Sequence, residues 1–264
     1  MQPDKKILIV GNWKMHLNVQ QSSLLYHRLN AFIKLHRRIE VVLAPSMLAL
    51  QPLSAEMDHR KFKLAAQDAY PKDEGGYTGE VSFAMLDELV KYVIVGHSAR
   101  RIYFGDTLEL VRDKVAAAVR NGMTPILCVG ETKQERDSGE ARQVLHDQVT
   151  TALMNLTSEE VDTIVIAYEP VWAISAFGGT PAKPDDIAPS ITYIRTQIAD
   201  LYGQRAAQKA RILYGGSVDD HDVRSYLEIP GVDGVLVGAA SLNYQQFSGI
   251  VDAAYRLLTE RRDG

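Results

Sequence analysis

Eight short apolar segments recur along the chain, and each one ends in small or polar residues. They occupy residues 7–14, 41–46, 62–69, 92–98, 125–131, 164–172, 211–218 and 234–241. Stretches with helical spacing separate most of them, for example Leu108, Val111, Val115, Ala118 and Val119. Strands that are apolar on both faces and alternate with helices are typical of a parallel sheet covered on both sides. The pattern therefore predicts an α/β fold built from repeated strand–helix units.

The length of the chain favours closing these units into a barrel. Its 264 residues divide into eight units of about 33 residues each, which suits a (β/α)8 barrel. No Gly/Ser-rich or Pro-rich linker interrupts the series, so we expect a single domain over residues 1–264. A doubly wound open sheet could show the same alternation. However, the first strand leads into Gly11 and Lys14 instead of the G-x-G-x-x-G turn that a dinucleotide site requires.

Composition argues against several classes of partner. The chain is 46% hydrophobic and 23% charged, with a formal net charge of −4, so it has no general attraction for nucleic acid or anionic membranes. Its single cysteine, Cys128, lies in an apolar run and cannot form an internal disulfide. The apolar stretch at the N-terminus is too short for a signal peptide, and no later run approaches the length of a membrane span. We expect a cytoplasmic protein with no nucleic-acid or membrane partner.

Polar residues and glycines follow the apolar runs, and in a barrel they would face one end, where such folds place their sites. They are Asn12, Lys14, Gln67, His97, Ser98, Glu131, Glu169, Ser217 and Gly238. Taken singly, each has an ordinary structural explanation. Lys14 could be a solvated surface charge, His97 a neutral side chain that fills a strand end, and Glu169 the cap of a turn. Together they supply a cation, a candidate base, an imidazole and backbone donors at one site.

Six motifs carry a resemblance to a known family. They are GNWKM (11–15), GHSARR (96–101), CVGE (128–131), AYEPVWAI (167–174), YGGSV (214–218) and DGVLVGAASL (233–242). In this order, the chain resembles the triosephosphate isomerase family over essentially its whole length. The resemblance implies a TIM barrel and an aldose–ketose isomerase, an intramolecular oxidoreductase of glycolysis and gluconeogenesis. Such an enzyme interconverts dihydroxyacetone phosphate and D-glyceraldehyde 3-phosphate by proton transfer through an enediolate, and we expect no cofactor and no metal.

The resemblance also implies roles for individual residues. Glu169 matches the family's base and His97 its electrophile, with Asn12 and Lys14 beside them. Phosphate binding is matched by Ser175, Ser217, Gly238 and Ala239. The lid hinge is matched by Pro170, Val171 and Trp172, and the lid latch by Tyr214. The segment after His97, SARRIYFG, could form a short helix whose free amides point back at the imidazole ring.

The sequence departs from the family pattern at several places. The lid segment PVWAISAFGGTPAKP, residues 170–184, is longer than usual, and Ala239 replaces a glycine, which restricts that backbone. Ala99 replaces a glutamate next to Lys14, and Asp68 replaces an asparagine. We hypothesise that Asp68 or ordered water takes over part of the missing electrostatic role. Two alternatives stay open: isomerisation of a longer keto-sugar phosphate, and a weakly active relative that binds phosphate.

Two further expectations concern the surroundings of the site. Residues 67–80, QDAYPKDEGGYTGE, resemble the protruding loop that the family inserts into a neighbouring subunit, with Thr78 reaching towards the partner's site. We therefore expect an isologous homodimer. Pro189 lies within the first turns of the helix after the sixth strand, so we expect a late start or a kink there.

Overall fold

Eight parallel strands form a closed barrel in a computed structural model of the chain, which describes residues 5–174 and 178–263. The strands are β1 (Ile7–Asn12), β2 (Ile39–Ala44), β3 (Phe62–Ala66), β4 (Tyr92–Val95), β5 (Thr124–Val129), β6 (Val165–Tyr168), β7 (Arg211–Tyr214) and β8 (Gly234–Val237). Each strand pairs with the next in sequence, and β8 returns to β1. The predicted TIM barrel is confirmed, and the open-sheet alternative is wrong because the sheet closes on itself. The domain limits of 1–264 stay a prediction.

Helices follow the strands and surround the barrel, and ten α-helices lie within the described residues. They are α1 (Val19–Phe32), α2 (Met47–Glu56), α3 (Ser98–Tyr103), α4 (Leu108–Arg120), α5 (Lys133–Asp137), α6 (Ala141–Leu153), α7 (Ser158–Val161), α8 (Pro184–Lys209), α9 (Val223–Leu227) and α10 (Tyr244–Asp263). Short 3-10 helices occupy Ala84–Leu86, Val171–Ala173 and Ala239–Leu242. The last two directly follow β6 and β8, so they lie at the end of the barrel where the strand C-termini meet.

Two apolar layers explain why the strands lack a polar face. In β1, Leu8 and Val10 belong to the cluster that fills the barrel, whereas Ile7 and Ile9 belong to the cluster between strands and helices. Both layers are buried, so both faces of a strand must be apolar. The close pairing of β8 with β1 requires glycine at position 234, because a Cβ atom there would collide with the carbonyl oxygen of Leu8 on β1.

Helix α8 corrects the expectation about Pro189. The helix begins at Pro184, where a proline at the first position needs no amide hydrogen bond, and it continues through Pro189. Its non-helical residue lies much later, at Gly203, where φ is +84°. The predicted late start is therefore wrong, and the break in the helix lies at Gly203 instead of at Pro189. A proline in the second turn removes a single backbone hydrogen bond, which the rest of the helix tolerates.

Within residues 5–174 and 178–263, none of the helices combines the length and the apolar character that crossing a bilayer requires.

Candidate active site

A cavity of about 290 Å³ opens at the C-terminal ends of the strands. This is the end of a (β/α)8 barrel that carries active sites, and the volume is near the lower limit of small-molecule pockets. Seven of the residues singled out in the sequence line it: Asn12, Lys14, His97, Glu169, Ser217, Gly238 and Ala239. Residues from β1, β4, β6, β7 and β8 or from the loops that follow them thus meet in one place, although they are far apart in the chain.

The side chains of His97 and Glu169 contact each other at this cavity. The distance between His97 Nε2 and Glu169 Oε1 is 3.1 Å, and the second carboxylate oxygen accepts a 3.1 Å hydrogen bond from the backbone amide of Ser98. Both side chains are almost fully buried, at 7% and 1% exposure. The carboxylate therefore lies against the N-terminus of α3, where a free amide stabilises its negative charge.

The surroundings of His97 fix its tautomer and its charge. As expected, a short helix begins directly after it, and Nδ1 accepts a 3.1 Å hydrogen bond from the amide of Ala99. The proton of the neutral ring is therefore on Nε2, which donates towards Glu169. Burial lowers the pKa of His97; the Glu169 carboxylate opposes this shift, while the positive charges of Lys14 and Arg101 add to it. The geometry thus favours a neutral imidazole with a proton available to the cavity.

Lys14 is held by two side-chain amides. Its φ angle of +50° is in the left-handed region, which is unfavourable for a residue with a side chain. Asn12 Oδ1 accepts a 3.0 Å hydrogen bond from the amide of Lys14, and Gln67 Nε2 donates a 2.7 Å hydrogen bond to its carbonyl oxygen. The ammonium group reaches the loop after the neighbouring strand β8, because a Cβ atom built on Gly238 would lie 3.9 Å from Lys14 Nζ.

Asp68 does not replace the missing carboxylate beside Lys14. Within the described part of the chain, no carboxylate oxygen lies within 4.0 Å of Lys14 Nζ. The Asp68 carboxylate instead contacts Lys114 Nζ at 2.8 Å and Arg100 Nε at 3.0 Å. Asp68 therefore forms no ion pair with Lys14, because its carboxylate is held by the nearer cations Lys114 and Arg100.

The base of the lid is anchored by Glu131, to which the sequence assigned no role. The 3-10 helix Val171–Ala173 follows Pro170, and its Trp172 donates from Nε1 to Glu131 Oε1 at 2.9 Å. The Tyr168 hydroxyl donates to the same carboxylate at 3.0 Å, and Glu131 is fully buried. Its place at the end of the CVGE motif, directly after β5, was the signal in the sequence.

The residues matched to phosphate binding lie on two neighbouring loops. Gly238 and Ala239 lead from β8 into the 3-10 helix Ala239–Leu242, whose first amides have no partner within the helix. The Ser217 amide donates a 3.3 Å hydrogen bond to the carbonyl of Ala173 at the base of the lid. Ser175 lies outside the described residues. The two loops thus offer backbone donors on the wall that faces Lys14.

Tyr214, matched to the latch, lies beneath this wall. Its ring stacks on that of Tyr226, with 4.2 Å between the centroids, and its hydroxyl is buried with no hydrogen-bond partner among the described residues. The Tyr226 hydroxyl donates to the carbonyl of Ala182 at 2.9 Å, close to where the lid segment ends. Burial raises the pKa of Tyr214 well above its ordinary value, so the hydroxyl stays protonated.

Two glycines give Glu169 its space. A Cβ atom on Gly215 would lie 2.8 Å from Glu169 Cγ, and one on Gly130 would overlap the carbonyl of Glu169. These distances are shorter than any ordinary carbon contact. The glycines of the YGGSV and CVGE motifs therefore admit the carboxylate to its present position.

Thr78 is not part of the cavity in its own chain. It lies on an exposed loop that leaves the barrel after β3, and the Asp73–Arg120 salt bridge of 2.9 Å ties the start of that loop to α4. The loop therefore projects from the body of the protein.

Comparison with known proteins agrees with this geometry. A family model described as triosephosphate isomerase matches residues 7–254. The chain belongs to the triosephosphate isomerase family. The triosephosphate isomerase of Carboxydothermus hydrogenoformans is 41% identical over 248 residues, which cover 94% of this chain and 98% of that relative. Those of Dehalococcoides mccartyi and Clostridium tetani are each 40% identical, over 93% and 94% of this chain and 95% and 96% of their own lengths.

Proposed function

We propose that the protein interconverts dihydroxyacetone phosphate and D-glyceraldehyde 3-phosphate. The observation that carries this proposal is the His97–Glu169 pair, with 3.1 Å between Nε2 and Oε1, in a cavity that also contains Lys14. An aldose–ketose isomerase needs a base for a carbon-bound proton and a donor for the oxygen that becomes negative. The relatives reported above carry the name of this enzyme.

In this mechanism Glu169 removes a proton from the carbon next to the substrate carbonyl. Its carboxylate must first leave the Ser98 amide and the ring of His97, which hold it in the structure described here. The same carboxylate returns the proton to the neighbouring carbon, so the reaction consumes no other reagent. A carboxylate base paired with a neutral histidine is a known property of this family, and it is carried over here.

His97 and Lys14 stabilise the enediolate. The Nε2 proton, released from Glu169 when that carboxylate turns to the substrate, donates to the developing oxyanion. A neutral imidazole suits this role because it can donate a proton and later accept one from the neighbouring oxygen. Lys14 and Asn12 contribute positive potential on the same side, and no carboxylate of the described residues pairs with Lys14 and competes with the substrate.

The phosphate group of the substrate binds to backbone amides. Gly238 and Ala239 present theirs at the start of a 3-10 helix, where anions are favoured. The amide of Ser217 would exchange its 3.3 Å contact with Ala173 for the phosphate, which would couple phosphate binding to the base of the lid. Ser175 from the lid, the hinge at Pro170, Val171 and Trp172, and the latch Tyr214 complete this proposal.

A homodimer explains the apolar residues that the monomer exposes. Met15, Leu48, Met85, Tyr103 and Phe104 are between 64% and 96% exposed. They follow β1, β2, β3 and β4, four consecutive strands of the barrel, so they lie on one side of the end that carries the cavity. Thr78 is on the projecting loop in the same sector.

Light scattering at micromolar concentration should give twice the chain mass of 29.3 kDa, and a monomer alone would contradict the proposal. A cytoplasmic location stays a prediction.

A coupled assay with three- and four-carbon keto-sugar phosphates tests the function. We expect turnover of the triose phosphates and little of the longer substrate, consistent with the small cavity. Glu169→Gln should lower kcat by about 10²- to 10⁴-fold, as loss of a general base does. Glu159→Gln, on an exposed part of α7, is the matched control and should leave kcat unchanged. Faster turnover of the four-carbon substrate, or binding without turnover, would favour one of the two alternatives.

A further inference from the structure

Four charged side chains form a closed network behind α3. Lys114 Nζ contacts Asp68 at 2.8 Å and Asp106 at 2.6 Å, and the guanidinium of Arg100 contacts Asp68 at 3.0 Å and Asp106 at 3.3 Å. Two positive and two negative charges thus alternate around a ring. None of the four lines the cavity.

The network is largely removed from water. The side chains of Lys114 and Asp106 are 2% and 1% exposed, that of Asp68 is 18% exposed, and that of Arg100 is 31% exposed. Buried charges with several short contacts have few alternative arrangements, because each departure leaves an uncompensated charge in a poorly hydrated place. The network therefore fixes the relative positions of the elements that carry its members.

Those elements meet the catalytic pair on one side and Lys14 on the other. Arg100 is in α3, whose first turn places the Ala99 amide 3.1 Å from His97 Nδ1. Asp68 directly follows Gln67, whose side chain donates a 2.7 Å hydrogen bond to the carbonyl of Lys14. Two adjacent residues after β3 thus contact the two walls that carry the imidazole and the ammonium group.

We propose that Asp68 is a positioning residue, which fixes α3 and thereby His97 relative to the loop that carries Lys14. Ala99 has no atom beyond Cβ that could join α3 to Lys14 directly. The connection runs instead from Lys14 to Gln67, along the backbone to Asp68, and across the ion pair to Arg100. The inference rests on the proposed isomerase function and adds a residue that does not touch the substrate.

Positioning and a direct charge effect make different predictions. If α3 moves, His97 is displaced from the oxyanion, so kcat falls while the substrate still binds. If Asp68 acted through its negative charge on Lys14, its removal would change binding of the anionic substrate, and KM would move. The ring of His97 reports the first case even without substrate, because Nδ1 would lose the Ala99 amide.

The test compares Asp68→Asn with the native protein. The control is Asp113→Asn, which removes a half-exposed carboxylate of α4 that pairs with Arg112 at 2.9 Å. For Asp68→Asn we expect kcat to fall about tenfold, as for a displacement of less than 1 Å, with KM within about twofold of native. In ¹⁵N spectra of the His97 ring, the separation between the Nδ1 and Nε2 resonances should narrow as the second tautomer becomes populated. The control should match the native protein in all three readouts.

Native kcat and native ring resonances in Asp68→Asn would overturn the inference, and so would a changed KM with unchanged ring resonances. If Asp68→Asn does not fold, Arg100→Gln interrupts the same connection at its most exposed member and should give the same three results. A native protein without isomerase activity would contradict the proposed function instead. The ring resonances of the variants would then still decide whether Asp68 positions His97.

Discussion

Adding one methyl group at Gly215 should displace the carboxylate of Glu169, which we propose as the catalytic base. The Cβ atom of an alanine would lie 2.8 Å from Glu169 Cγ and 3.3 Å from the carbonyl oxygen of Tyr168. Carbon atoms in contact are separated by about 3.5–4.0 Å, so Glu169 Cγ must move by roughly 1 Å. In the ligand-free protein its two oxygens contact the Ser98 amide and His97, so the shift disturbs the position from which the carboxylate turns to the substrate.

A displacement of about 1 Å at a reacting group can reduce the rate about 100-fold. We therefore expect Gly215→Ala to lower kcat by about that factor, which corresponds to about 2.7 kcal/mol of transition-state stabilisation. KM should change little, because the backbone donors at Gly238 and Ala239 are untouched. Initial rates in the coupled assay, over a range of glyceraldehyde 3-phosphate concentrations, give both constants.

The control for Gly215→Ala is Glu159→Gln, on an exposed part of α7 away from the cavity. It should retain the native kcat. If Gly215→Ala turns over within about threefold of native, Glu169 does not need its present approach to the β7 loop, and the positional argument fails. A raised KM with native kcat would also contradict it, since that result would place the damage in substrate binding.

Three further predictions concern stability and protonation. Glu131→Gln leaves the Tyr168 hydroxyl and the Trp172 indole with one good acceptor between them, so urea unfolding should show a loss of about 1–3 kcal/mol; an unchanged midpoint would contradict this. Lys114→Met removes the buried cation that contacts both Asp68 and Asp106 and leaves Arg100 to compensate two carboxylates, so it should cost about 3–5 kcal/mol, whereas Lys133→Met, in an exposed pair, should cost nothing measurable. Because burial lowers the folded-state pKa of His97, the unfolded chain takes up a proton near pH 6.5 that the folded chain does not. Stability should therefore fall as the pH drops below about 6.5, and His97→Gln should reduce that slope; an identical slope would count against a neutral His97.

The strands and their order could be predicted because each strand records its surroundings locally. Leu8 and Val10 face the barrel interior, while Ile7 and Ile9 face the helices. Because both faces of the strand are buried, its sequence is an uninterrupted apolar run. The short helix after His97 could be predicted as well, because it begins at the next residue, Ser98, and depends only on the local sequence. Closure of the barrel, which the length of the chain favoured, brings the strand ends together.

The ionic partners could not be predicted in the same way. Asp68 stands 46 residues from Lys114, and nothing between them indicates that their side chains meet at 2.8 Å. The sequence suggested Asp68 as a substitute for a carboxylate near Lys14 because both lie at strand ends. Choosing among several cations within reach requires distances of a few ångström, which periodicity does not contain. The prediction of a late helix start at Pro189 was wrong for a related reason, because the cost of one lost hydrogen bond depends on the whole helix.

Lys14 has no carboxylate partner within the residues that the structure describes, and its surroundings give an electrostatic reason for this. Lys14 is only partly buried, so water can solvate its charge and the cost of leaving it unpaired is small in the ligand-free protein. When a phosphorylated substrate fills the cavity and excludes that water, the same charge acquires an anionic partner where the local dielectric is lower. A permanent carboxylate would weaken this attraction, but it would also hold the ammonium group in place. Here the Lys14 amide donates to Asn12 Oδ1 and Gln67 Nε2 donates to the Lys14 carbonyl, and these two bonds hold the backbone instead. The position of the cation therefore depends on Gln67, the neighbour of Asp68, and not on a charge at residue 99.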